Sequence, residues 1–303
     1  MKAVIDLGTN TFNLLIADIK NNQLNVAVNL EFPVKIGKGS LIDNIISEPA
    51  MLRAITALSQ FKSYIDRFEI IEIKALATSA IRNAKNGKHL IIKVKELFDI
   101  DISIISGETE ASLIYLGASN SFKLPNDEVL VMDIGGGSVE FIIGRNEKII
   151  WKQSFDIGAV RLFEMFKPSS PLIESDILNI RSYILNELQP LKKVLLNYPL
   201  RTLIGSAGTF ETLVDVVIKD LKVIPIAMSK NAFEISIHEF EAFSEMMITS
   251  TLEQRLKLKG MLDFRAEYIP IAAILISLIL EMGEIRKLVC SNFSMKEGAL
   301  FSN

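Results

Sequence analysis

Asp6-Leu-Gly-Thr-Asn-Thr-Phe-Asn-Leu-Leu-Ile16 lies without gaps on Asp133-Ile-Gly-Gly-Gly-Ser-Val-Glu-Phe-Ile-Ile143, and this pairing decides the fold class. Each copy reads as an apolar strand ending in Asp, a Gly-containing turn, a hydroxyl residue, and a second apolar strand. A repeat of this kind, far longer in spacing than a solenoid period, implies two domains of related topology. Strands and helices alternate around both copies, which favours an α/β architecture with the two turns facing each other across a cleft.

Working outward, Lys2–Leu7 and Thr11–Ile19 read as strands joined at Gly8–Asn10, with Leu24–Leu30 as a third. Pro49 to Phe68 has helical apolar spacing with Pro in its first turn. A strand at Glu72–Ala77, a helix at Gly87–Phe98, a strand at Ile102–Ile105 and a helix from Gly107 follow. The polar stretch Asn120–Asp127 separates a domain of residues 1–122 from a second of residues 123–293. There the pattern restarts with Val129–Asp133, Val139–Gly144 and Lys148–Asp156, then helices at Ala159–Phe166 and Glu174–Leu196 and a strand at Thr202–Ile204. Helix is expected for most of the remainder, ending in a short one at Ser294–Phe301.

Composition narrows the function. The chain has 303 residues, 49% of them apolar, enough for sizeable cores. Its 33 Lys+Arg against 36 Asp+Glu give a net charge of -3, which argues against broad nucleic-acid binding but permits a local polyanion site. One cysteine, Cys290, rules out an intrachain disulfide and suits a reducing compartment. The N-terminus lacks signal-peptide organisation, and the longest apolar run, Ile269–Leu280, is too short to span a bilayer. A cytoplasmic protein without membrane attachment is the expectation.

The turns carry the chemistry. Glycine lets backbone amides approach a ligand and adopt positive φ, and successive amides make a concave anion site. Thr9, Thr11 and Ser138 add hydroxyl donors, while Asp6 and Asp133 at strand ends can hold Mg²⁺ directly or through water. Two such turns would grip consecutive phosphates. Arg82, after the strand ending at Ala77, can contact phosphate with its planar fork. Arg161 stands at a helix start, where the dipole disfavours a cation, and so calls for an anionic partner. Gly205 and Gly208 bracket a strand-to-helix turn that can bind a further anion or simply be tight. Glu108 and Glu110 both lie in a first helical turn, either as dipole-stabilised acids or with one aimed at the cleft as general base. The chain has only His89 and His238, and no GxxxxGK[ST], against a His-rich metallohydrolase and a P-loop enzyme.

Taken in order, DLGTNTFNL, ATSAIRNAKN, SGETEASLIYLG, DIGGGSVEFIIG and SFDIGAVRLFEMF resemble the exopolyphosphatase/guanosine pentaphosphate phosphatase (Ppx/GppA) family. GSAGTF, RAEYIPIAAIL and MKEGAL are weaker echoes. The resemblance implies two actin-like ATPase (ribonuclease H-like) domains around an interdomain cleft, with the last helix, about 294–303, returning to the first domain. It implies Glu110 as the catalytic acid that orients water and Arg82 as a phosphate contact. Asp6, Gly8, Asn10 and Thr11 would form one phosphate loop, and Gly135, Gly136, Gly137 and Ser138 the other. Asp133 and Glu140 would be linked to Mg²⁺.

The implied reaction is hydrolysis of a terminal phosphate from inorganic polyphosphate, with guanosine pentaphosphate as the alternative substrate. A kinase of the same superfamily and a non-catalytic alarmone-binding regulator are remoter readings. The fold is compatible with a homodimer, although no stretch of the sequence marks an interface. Three positions depart from the family pattern: Asn13 where a basic residue is common, Ser112 where Arg is frequent, and Glu267 in place of Asp. These bear on how a long anionic chain is held.

Overall fold

A computed structural model of the protein describes residues 1–21 and 23–302. The first half contains strands β1 (Lys2–Leu7), β2 (Phe12–Lys20) and β3 (Gln23–Phe32), then helix α1 (Glu48–Ile65) and β4 (Glu72–Ala77). Helices α2 (Ser79–Asn83) and α3 (Gly87–Phe98), strand β5 (Ile102–Ile104) and helix α4 (Gly107–Ser121) complete it. The second half opens with β6 (Val129–Ile134), β7 (Val139–Arg145) and β8 (Lys148–Phe155), followed by α5 (Ala159–Phe166), α6 (Glu174–Glu187) and α7 (Gln189–Leu195). Next come β9 (Thr202–Ser206), α8 (Gly208–Lys219), the hairpin β10 (Ile226–Ser229) and β11 (Ala232–Ile235), α9 (Ile237–Thr249) and α10 (Leu252–Arg255). The chain ends with α11 (Ile269–Met282), β12 (Lys287–Ser291) and α12 (Met295–Phe301).

The duplication is visible in the sheets. The first has the order β3-β2-β1-β4-β5, and the second β10-β11-β12-β9-β6-β7-β8. In each, an antiparallel three-stranded meander (β1–β3, β6–β8) is extended by parallel strands, β4 and β5 in one and β9 and β12 in the other. Strands β1, β2, β6 and β7 are largely apolar and buried, β6 at every position, whereas the edge strands β3 and β8 are more exposed. Asp6 pairs across the hairpin with Asn13, and Asp133 with Glu140, so the two copies match in register as well as order.

One expectation is refined and another corrected. The region after Ile204 is dominated by helices α8 to α12, as expected, but it also holds β10, β11 and β12, short strands whose apolar residues sit in runs too brief to show a period of two. The helix expected over Glu174–Leu196 breaks at Leu188, because Pro190 has no N–H for the preceding turn and instead fits the start of α7. By contrast, Ile269–Leu280 forms the buried α11, apolar on all sides because it is surrounded by other elements. No helix among the described residues is long and apolar enough to cross a membrane.

Helix α4 lays Ala111, Ile114, Tyr115 and Ala118 against Val131, Ile142 and Ile204 of the second sheet. Helix α12 packs Ala299 and Leu300 on Val4, Leu15 and Ala17 of the first, and Lys74 Nζ caps its C-terminal carbonyls at Ala299 (3.1 Å) and Ser302 (2.8 Å). Between α4 and α12 the contact is backbone on backbone. A Cβ on Gly298 would stand 1.8 Å from the Leu113 carbonyl oxygen, and one on Gly117 2.1 Å from that of Ser294. Because backbone cannot yield as a flexible side chain does, Gly298→Ala is expected to destabilise the protein by about 2–3 kcal/mol, read from denaturant unfolding. An unchanged midpoint would show that the two helices are free to separate.

Candidate active site

The turns that end β1 and β6 close in the same way. Gly8 N–H donates to the Thr11 carbonyl at 3.1 Å, and Gly135 N–H to that of Ser138 at 3.0 Å. The glycines are needed for space: a Cβ on Gly8 would lie 2.7 Å from Thr11 O, and one on Gly135 3.0 Å from Ser138 O. The expectation of positive φ is corrected, since the glycines with positive φ are Gly39 and Gly260, outside both turns. Among the described residues, the amides of Thr9, Asn10, Gly136 and Gly137 donate to no backbone or side-chain acceptor. They are free for an anion.

The turns meet across one cleft of about 350 Å³, which Asp6, Gly8, Thr9, Asn10 and Thr11 line from one side and Asp133, Gly135, Gly136, Gly137 and Ser138 from the other. Glu110 also lines it, buried to 8% exposure on the first turn of α4, whereas Glu108 points to solvent. The geometry separates two acids that sequence spacing left equivalent. Ser106 caps that turn by accepting from Thr109 N–H at 3.1 Å, fixing the helix start from which Glu110 projects.

Arg82 lies beside Glu110, not on the cleft wall: Nη1 donates to Glu110 Oε2 at 3.0 Å and to the Ile105 carbonyl at 2.9 Å. Arg161 also stands behind the wall, donating Nε to the Gly137 carbonyl (2.8 Å) and Nη2 to Asp156 (3.3 Å). The anionic partner its position called for is thus Asp156 within the chain. Gly205 is buried beneath the Phe210 ring, away from the cleft. Gly208 does reach the cleft, yet the Arg265 guanidinium covers it, donating Nη1 to the Gly208 carbonyl at 2.5 Å. Cys290 is buried and His89 exposed.

The site carries an excess of buried negative charge. Burial, then Glu140, push the Asp133 carboxyl up to about 8, although a hydrogen bond from Ser206 opposes them. Burial raises Asp6 to about 6 against the pull of Lys296 and of Asn13, whose Nδ2 donates to Asp6 Oδ2 at 3.1 Å. Glu110 is raised well above the usual carboxylate range by burial and by Glu140, in spite of Arg82. Glu140, 1% exposed, is raised by burial while Ser154 Oγ donates to it at 2.6 Å. All-oxygen donors of this kind suit Mg²⁺. No group of three or more His, Cys, Asp or Glu among the described residues forms a closed cage. The fit is therefore to an ion held by one or two carboxylates and completed by phosphate oxygens and water, with Asp133 on the wall and Glu140 behind it.

A family model for the Ppx/GppA phosphatase family matches residues 15–303. The chain belongs to that family. It is similar to a crystallised exopolyphosphatase from Cytophaga hutchinsonii, with 36% identity, a TM-score of 0.94, and coverage of 99% of this chain and 96% of that one. The Ppx/GppA enzyme of Aquifex aeolicus follows at 28% identity and a TM-score of 0.81, covering 99% and 98%. A bifunctional 3-dehydroquinate synthase/phosphatase of Fusobacterium nucleatum is 36% identical over 230 residues, 71% of this chain and 34% of that protein.

Sequence reasoning missed four charged residues on the cleft of this Ppx/GppA family member: Lys296, Arg265, Glu31 and Glu211. Burial alone would lower the Lys296 ammonium, but Glu297, Glu211 and Asp6 outweigh it and raise it. Arg265 Nη2 bonds Glu31 Oε1 at 2.6 Å, and Asn10 Nδ2 bonds the Phe264 carbonyl at 3.2 Å, joining the two halves beside the first loop. The MKEGAL and RAEYIPIAAIL stretches held the signal for two of them, but only as family echoes.

The raised carboxylates have a consequence for stability. Between pH 6 and 8 the native state keeps on Asp133 a proton that the unfolded chain has already released, so stability falls as pH rises. Without divalent ions, stability is expected to drop by about 1–2 kcal/mol over that interval, on the scale of 1.36 kcal/mol per pKa unit. Mg²⁺ at about 5 mM should recover most of it, by stabilising the ionised acids. Thermal unfolding across pH with and without the ion measures both, and a Tm that rises from pH 6 to 8 contradicts the assignment.

Proposed function

We propose that this protein is an exopolyphosphatase that hydrolyses the terminal phosphate of inorganic polyphosphate by Glu110-assisted attack of water. The observation carrying this reading is the position of Glu110, a buried acid tethered by Arg82 and opening on a cleft walled by two amide-presenting turns. The free amides of the turns hold consecutive phosphates and stabilise charge on the transferred group, the main source of catalysis in phosphoryl transfer. Glu110 orients water in line with the terminal phosphorus. As the water oxygen bonds to phosphorus and the bridging P–O bond breaks, the carboxylate takes the proton and the shortened chain leaves. Its raised pKa suits that acceptance. Arg82 acts through Glu110, fixing its rotamer. A divalent ion at Asp133 would supply further charge neutralisation at the phosphate oxygens.

Polyphosphate is favoured over guanosine pentaphosphate by the wall. Its aromatic residue is Tyr268, which is 6% exposed and packed against Phe163 at 5.2 Å between centroids, so the ring offers a base little stacking surface. Glu110→Gln is expected to lower phosphate release from polyphosphate by about a hundredfold or more, the scale of general-base removal. Glu108→Gln, on the same turn but exposed, should stay within about twofold of the parent. Guanosine pentaphosphate assayed alongside should be the poorer substrate by kcat/KM. A fully active Glu110→Gln protein refutes the role, and a preference for the nucleotide refutes the substrate.

A further inference from the structure

Ser79 occupies the first position of α2 and is 2% exposed, yet its Oγ has no hydrogen-bond partner. A buried hydroxyl without a partner costs free energy, so its retention needs a cause outside the ligand-free fold. The residue lines the cleft between the two loops. A Cβ built on Gly137 would lie 2.6 Å from Ser79 Oγ and 2.8 Å from Thr9 Oγ1, so two hydroxyls from the first half converge on the bare backbone of the second loop. Ser79 lies in the ATSAIRNAKN stretch, three residues before Arg82.

We propose that Ser79 is a phosphate-binding residue, its hydroxyl donating to an anionic oxygen of the phosphate seated between the Thr9 and Gly137 turns. This deepens the reading of the cleft as a phosphoanhydride site and rests on it. The donor is neutral and the acceptor charged, an interaction stronger than a bond between two neutral groups. It also comes from α2, an element distinct from both loops. The bound phosphate is thereby touched from β1–β2, from β6–β7 and from α2 at once, which couples occupancy of the site to the approach of the two halves.

The test uses the full-length protein with Mg²⁺ and inorganic phosphate as the probe, alongside polyphosphate turnover. For Ser79→Ala, a Tm without phosphate equal to or above that of the parent is expected, because the variant discards an unsatisfied polar group and gains a better helix former. The rise in Tm on adding phosphate should shrink, and kcat/KM should fall about tenfold. A structural role would give the reverse: a lower Tm without phosphate and an undiminished response to it. That pattern, or equal turnover and equal phosphate response in the two proteins, overturns the proposal. If the parent itself neither binds phosphate nor releases it from polyphosphate, the cleft reading has failed, and the role of Ser79 falls with it.

Discussion

The constraint on which the site depends is electrostatic: Asp6, Glu110, Asp133 and Glu140 are gathered where burial disfavours their ionised forms. Like charges at short range in a medium of low polarity repel strongly, and such a cluster does not form unless stronger forces place it. Those forces are the two sheets. Strand ends are where side chains leave the apolar core, and in each half the Asp is the last polar position before the turn. The strand registers hold the acids in place, and the amides of the turns face the same space with no acceptor of their own. A polyanion accompanied by a cation satisfies both demands at once.

Spacing between Glu110 and Lys296, which face the cleft from different helices, is set by backbone. Glu110 stands on α4 and Lys296 on α12, and these helices touch through Gly117 and Gly298 so closely that neither position has room for a Cβ. Close-packed backbone transmits displacement with little loss, whereas a layer of side chains could repack. The last helix is consequently part of the site's scaffold, although its sequence lies almost two hundred residues from α4.

What could be read from the sequence was local. The strand–turn–strand pairs, their equivalence and the cleft residues of both turns follow from patterns within about a dozen residues. Glu108 and Glu110 are both plausible first-turn acids, and only the packing of α4 on the second sheet decides which is buried. Arg82 and Arg161 were visible as candidates, but their orientation behind the wall depends on Ile105, Gly137 and Asp156 in three dimensions. Lys296, Arg265 and Glu31 reach the cleft through contacts between residues more than 200 apart, such as the 234-residue separation of the Arg265–Glu31 pair, and no periodicity encodes them. The β10–β11 hairpin and β12 were hidden by their brevity.

The duplicated turns have diverged in complementary ways. In the first copy the residue facing the Asp across the hairpin is Asn13, whose amide donates to Asp6; in the second it is Glu140, which repels Asp133. That single exchange accounts in part for the higher pKa of Asp133, about 8 against about 6 for Asp6. It also concentrates on the second half the negative charge that a cation would balance. The turn sequences show the converse. The first turn carries Thr9, Asn10 and Thr11, while the second has three consecutive glycines, and space explains the difference: a Cβ on Gly136 would already lie 3.1 Å from that of Thr9. Side chains fit on one wall only. The first loop accordingly presents hydroxyls and the second presents bare amides backed by paired carboxylates, so the cleft has two different walls built on one repeated pattern.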